Sequence, residues 1–177
     1  IGAQAKSTGD SSTAIGYQTQ ATGANSVAFG LNSIATQDNA AALGSRTKAT
    51  GTAALALCTD AKATANSSIA IGTSTTASGE AAMAMGNNTV ASASNSTALG
   101  TGSQASAANA LALGTSSTAS GANSVAAGVG ATASTIGSIA IGYQASNGVS
   151  SGSIALGANA LGGGLNGIAI GTNAQTI

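Results

Sequence analysis

The chain has 177 residues, no His, Pro or Trp, and four Lys or Arg balanced by four Asp or Glu, a formal net charge of zero. Those counts exclude a collagen-type triple helix, which needs proline and a glycine at every third place. They also argue against nucleic acid as a partner, because neutralising phosphates takes a basic patch. No apolar run approaches the ~20 residues of a membrane-spanning helix, so this segment is not expected to insert into a membrane. A single cysteine rules out an intrachain disulfide.

Glycine returns every 14 residues, at Gly2, Gly16, Gly30, Gly44, Gly72, Gly86, Gly100, Gly114, Gly128 and Gly142, with Cys58 in the one vacant slot. One extra residue then moves the next members to Gly157 and Gly171. A strict short period means one structural unit stacked many times, none able to bury its apolar face alone. The chain therefore reads as a solenoid. It opens on the last two residues of a repeat and closes inside another, so residues 1–177 are expected to be a single repetitive segment of a longer array.

Tyr17 to Gly30 serves as the reference coil, positions 1 to 14. Positions 3 and 5 are small, as at Thr19 and Ala21 or Thr47 and Ala49, while position 4 between them varies and takes Lys6, Gln20, Lys48 and Lys62. This is a short strand with position 4 in solvent. Acids gather at position 8, in Asp10, Asp38 and Glu80, after a corner that is often glycine, as at Gly23 and Gly51. Positions 11 and 13 hold the large apolar residues, as in Val27 and Phe29, Ile69 and Ile71, or Leu111 and Leu113. A period of two makes this a second strand, with 11 and 13 on one face, expected to be the inner one. Position 14, the turn glycine, is a tight corner wanting positive φ.

Position 12 is Ala in every complete coil: Ala14, Ala28, Ala42, Ala56, Ala70, Ala84, Ala98, Ala112, Ala126, Ala140, Ala155 and Ala169. If 11 and 13 face inward, alternation turns 12 outward. A solvent-facing column would have drifted to polar residues, as position 4 has, so the alanines are expected to form an oligomer interface. Along the chain the pattern is broken by Cys58, by Ala127 in a large-residue slot, by Asn147-Gly148 in the one coil of 15 residues, and by Gly162-Gly163-Gly164.

The phrase Asn25-Ser26-Val27-Ala28-Phe29-Gly30-Leu31-Asn32-Ser33 resembles the head-repeat motif Asn-Ser-Val-Ala-Ile-Gly-x-x-Ser of YadA-like trimeric autotransporter adhesins. Asn95 to Ser103 is a looser copy and Asn123 to Gly128 a partial one. The resemblance implies an all-β, left-handed parallel β-roll in a homotrimer. It also implies display on a bacterial outer surface above a stalk and an outer-membrane barrel anchor, and virulence-associated adhesion to extracellular-matrix protein, glycan or cells.

The residues offer no competing chemistry. With no His and scattered carboxylates, neither a catalytic triad nor a paired-acid site can be assembled, and no cofactor or metal is expected. Calcium-binding rolls need an Asp in each turn, which four acids cannot supply. Position 6 is a hydroxyl column, Thr8, Thr22, Thr36, Thr50 and Thr64 followed by Ser78, Ser92, Ser106, Ser120 and Ser134. It reads first as satisfying backbone groups at the corner, and otherwise as an ordered-water ladder. Tyr17 and Tyr143 follow turn glycines as candidate contact residues or corner covers. The sequence thus points to a non-enzymatic adhesin head, with a fibre spacer and an ice-binding solenoid as the alternatives.

Overall fold

The computed structural model describes residues 1–148 and 150–176, which form strands, turns and bends and no helix. By its internal contacts the chain divides into two compact units, Ile1–Asn88 and Thr89–Ile177. Each unit is a parallel solenoid whose coil contributes one strand to each of two sheets. In the first unit, Lys6–Ser7, Gln20–Ala21, Ile34–Ala35, Lys48–Ala49, Lys62–Ala63 and Thr76–Ala77 stack as one sheet. Thr13–Ile15, Val27–Phe29, Ala41–Leu43, Leu55–Leu57, Ile69–Ile71 and Met83–Met85 stack as the other. Pairing is in register with the repeat, Ile69 on Met83 and Ala70 on Ala84. The all-β solenoid expected from the period is what the chain forms.

The second unit repeats the plan, with Thr97–Leu99, Leu111–Leu113, Val125–Ala127, Ile139–Ile141, Ile154–Leu156 and Ile168–Ile170 forming the sheet of longer strands. The 15-residue coil disturbs only the opposite sheet, where Ser146 survives as isolated bridges to Thr132 and Leu161. Asn147 takes the place usually held by a small inward residue. Its Nδ2 donates to the Ile139 carbonyl at 3.0 Å and the Ser153 carbonyl at 2.8 Å, capping carbonyls inside the coil.

The interior reverses one expectation. The position-12 alanines, Ala14, Ala28, Ala42, Ala56, Ala70, Ala84, Ala98, Ala112, Ala126, Ala140, Ala155 and Ala169, point into their own coil, and most are 0% exposed in the single chain. They are therefore not available as an oligomer interface. Position 10 points inward with them, as at Ser26, Ser68 and Ser96, to meet positions 3 and 5 of the facing strand, as at Thr19 and Ala21. The reason is width. A Cβ added to Gly162, which faces this interior, would already lie 3.3 Å from Ser153 Cβ. One small side chain from each strand fills the gap, so every buried apolar residue described is alanine and the large aliphatics are pushed outside.

Most buried hydroxyls are tied to backbone carbonyls, although Ser33 Oγ has no partner. Thr19 donates to the Gly30 carbonyl at 2.7 Å and Thr47 to that of Cys58 at 3.1 Å, each tying the start of a coil to the turn that closes it. Shorter Ser103 and Ser117 instead reach back to Gly100 and Gly114, each at 2.9 Å. At position 10, Ser26 donates to Gly23 and Ser96 to Ala93, closing the other corner.

The corners hold a shorter period than the glycines disclose. In the first unit every seventh residue from Gln4 to Asn88 is left-handed, with φ between 52° and 59°. These are positions 2 and 9, so each coil is two seven-residue halves with a left-handed corner apiece. Asn25, Asn32, Asn39 and Asn88 suit that conformation, whereas Ala53 and Ala81 occupy it at a steric cost of about 1–2 kcal/mol. The turn glycines form a separate set, with φ between 119° and 141° from Gly16 to Gly171, a region open essentially to Gly alone. Cys58 holds its glycine slot at φ 89°.

These features set three expected stability changes, read by thermal or denaturant unfolding. Ala81→Asn should stabilise by up to about 1 kcal/mol. Ala70→Leu should destabilise by about 1–3 kcal/mol or more, because the coil has no room for it. Gly72→Ala should cost more than about 3 kcal/mol, since its Cβ would run into the Gly86 carbonyl.

Candidate functional site

With the small residues inside, the coil offers three outer surfaces. The first is the outside of the longer strands. In the first unit it carries Ile15, Val27, Phe29, Leu43, Leu55, Leu57, Ile69, Ile71, Met83 and Met85, one or two per coil and stacked in register. In the second unit it carries Leu99, Leu111, Leu113, Val125, Ile139, Ile141, Ile154, Leu156, Ile168 and Ile170. Most are half-buried by their neighbours, but Phe29 is 53% and Ile170 66% exposed. Ala41 and Ala127 are the small apolar members of the stripe, and Thr13 and Thr97 its polar ones. Contiguous apolar rows of this extent are rare on a free monomer and mark an interaction surface.

The second surface is the outside of the shorter strands, and it is polar. Position 4 presents Lys6, Gln20, Ile34, Lys48, Lys62 and Thr76 in the first unit, then Gln104, Thr118 and Thr132 among others in the second. In the second unit no side chain on any surface is charged.

The third surface is the corners, where left-handed residues stack side chain on side chain between coils. Gln18 Nε2 donates to Gln4 Oε1 at 2.8 Å, and Asn109 Nδ2 to Asn123 Oδ1 at 3.0 Å. Arg46 grips Asp60 through two 2.7 Å hydrogen bonds, the one ion pair among the described residues. Those hydrogen bonds, ahead of the charge attraction, hold the Asp60 carboxyl below the usual carboxylate range, and they raise Arg46 above its own ordinary value. Protonation of Asp60 in strong acid would release the grip. The pair is exposed, so its contribution to stability is small.

Some residues singled out in the sequence stay apart from these surfaces. The position-12 alanines are interior. The turn glycines Gly16, Gly30, Gly44, Gly72, Gly86, Gly100, Gly114, Gly128, Gly142, Gly157 and Gly171 are corner backbone and present no side chain. Within the position-6 column Thr22 reaches the Thr36 carbonyl at 3.4 Å and Ser134 that of Gly148 at 2.9 Å, the backbone role expected of a corner hydroxyl. Tyr17 and Tyr143 are about half exposed, and Cys58 is exposed as a free thiol. No group of three His, Cys, Asp or Glu that could hold a metal occurs among the described residues. The outward stripe was present in the sequence as positions 11 and 13, but their direction was not. The left-handed corners could have been found from the Asn and Gly that recur seven residues apart.

The geometry agrees with what the chain resembles. The family model of the YadA head domain repeat, two copies long, matches over residues 1–19, 7–33, 21–47, 35–57, 49–75, 77–103, 91–117, 105–128 and 119–145. No curated protein matches the chain. Among solved structures it is similar to the collagen-binding domain of the Yersinia adhesin YadA, with a TM-score of 0.65 and 24% identity over 76% of this chain and 72% of that one. At that identity the likeness speaks for the fold. The family match rests on the repeats themselves, and through them this chain belongs to the YadA head domain family.

Proposed function

We propose that this chain is the head segment of a bacterial surface adhesin, assembled as a homotrimer and attaching to host extracellular matrix, cells or other surfaces without catalysing a reaction. Family membership supports the adhesive role, and the collagen-binding domain it resembles makes a matrix protein the first ligand to test. Display above an outer-membrane anchor, and a part in virulence, belong to the same reading.

The observation that carries the assembly is the apolar stripe. A coil that buries only alanine within itself leaves its Ile, Leu, Met and Phe side chains outside, where covering them returns roughly 25 cal/mol per Å² of apolar area. A second and third copy of the same stripe is the cover that a symmetric homo-oligomer supplies. The interface is therefore assigned to positions 11 and 13 rather than to the alanines. Sedimentation of the purified chain should report three copies. Ile71→Lys together with Leu113→Lys should abolish that species, because each lysine would bury a charge in an apolar seam. A well-folded monomer of the unchanged chain would overturn the assignment.

Adhesion is read by binding to immobilised collagen. Contacts made by hydroxyls, amides and small apolar groups in rows are individually weak and gain strength from three linked copies. Binding should fall sharply when the trimer is broken and change little with added salt. Failure to bind any matrix protein while the trimer persists would favour a spacer. The ice-binding alternative finds little support in a position-4 column that mixes Ile34, Lys48 and Val90.

A further inference from the structure

Net charge zero conceals a separation that the coil creates. Four cations and one carboxylate, Lys6, Arg46, Lys48, Lys62 and Asp60, fall at positions 2 and 4, along the outside of the shorter strands and the corner leading into them. That side of the first unit carries a net +3. The remaining acids, Asp10, Asp38 and Glu80, fall at position 8, on the opposite corner. Asp38 is engaged there, its Oδ1 accepting the Ala24 N–H at 2.9 Å.

Within the cationic side, Lys48 and Lys62 are register partners on adjacent parallel strands. Strands lie about 4.8 Å apart, and like charges directly opposite repel. Neither lysine forms an ion pair of its own: Asp60 lies within the field of Lys62, but its two oxygens are held in hydrogen bonds by Arg46. Both are exposed. Lys48 closes one end of a groove of about 570 Å³, lined also by Gln18, Gln20, Asn32 and Arg46, with Ile34 the lone apolar contributor, and Lys62 follows one coil beyond that lining.

We propose that this groove and the lysine beyond it bind a linear sulfated glycan, with Lys48 and Arg46 in the groove and Lys62 one coil further meeting sulfates, and Gln18, Gln20 and Asn32 meeting ring hydroxyls. The lysine pair supplies exposed charge outside any ion pair at strand spacing, comparable with the rise of one sugar in an extended polysaccharide. The amides supply donors and acceptors that a hydroxyl-rich chain can use. Nucleic acid is the poorer fit, because no aromatic side chain lines the groove to stack a base. An acidic protein is also poorer, since Ile34 is the groove's one apolar contact and it holds no aromatic anchor of the kind that dominates protein interfaces. The proposal rests on reading the chain as a surface-displayed binding module. It uses a different face from the apolar stripe and does not require a matrix-protein ligand.

The test is surface plasmon resonance of the whole chain over immobilised heparin, its desulfated form, neutral dextran and single-stranded DNA. Heparin should bind, and the desulfated form and dextran should not. Binding should weaken steeply with salt as counterions are taken back, unlike binding to collagen. Lys48→Thr with Lys62→Thr should lower heparin affinity about tenfold or more. Threonine already stands at the same register position in Thr76, Thr118 and Thr132, so the fold accepts it. Circular dichroism, sedimentation and collagen binding should be unchanged in that variant, and Asp10→Asn should leave heparin binding nearly as it was. Absence of heparin binding, an undiminished affinity in the double variant, or equal binding of DNA would overturn the proposal. Heparin binding without collagen binding would leave it standing and count against the matrix-protein reading alone.

Discussion

The rest of the structure follows from how close the two strands of one coil lie. A 14-residue turn that includes two corners leaves two or three residues for each strand, and the facing strands approach until only a Cβ or a hydroxyl fits between them. Alanine at position 12, Ala or Ser at position 10, and Thr, Ser or Ala at positions 3 and 5 are the residues of that size. Dispersion among such small groups is modest. Cohesion within a unit comes largely from backbone hydrogen bonds running from coil to coil, reinforced by hydroxyls such as Thr19 and Thr47 that bridge to the next corner.

A thin interior makes the corners decisive. Each coil must reverse direction twice, and it does so with a left-handed residue in each half and a glycine at φ near 130° after the longer strand. Because every coil turns at the same places, side chains at the corners come into file, which is why Gln4 meets Gln18 and Arg46 meets Asp60. A repeat thereby turns a single residue choice into a row. The same stacking makes a row of like charges at Lys48 and Lys62, and a row of large aliphatics along the longer strands.

The outside of such a protein carries what a globular domain would hide. The apolar rows suit self-association, and the polar sheet on the other side of the coil stays open for ligands. Charge is confined to the first unit and sorted by corner, so the cationic groove belongs to that unit, while the side chains of the second are uncharged. Adhesion by many weak contacts and capture of a charged polymer can then occupy different faces without competing.

The sequence by itself determined the repeat, the two strands per coil and the alternation along them. A period of 14 with apolar residues two apart admits no helix and little else. It also placed the turn glycines, because a residue without Cβ best tolerates their φ and the neighbouring coil's carbonyl, Cys58 alone holding such a slot with a side chain. It left open which side of the longer strand faces inward. Alternation separates Val27 and Phe29 from Ala28 but is symmetric between inside and outside, and the habit of putting large residues in the core chose wrongly. Only the tertiary structure decided the matter, since the gap between facing strands is a property of two segments brought together and not of either one. The same holds for the charges. The eight charged residues, Lys48, Lys62 and Asp10 among them, sum to neutrality in one dimension, and they become a cationic side and an acidic corner only when the coil assigns each position a direction.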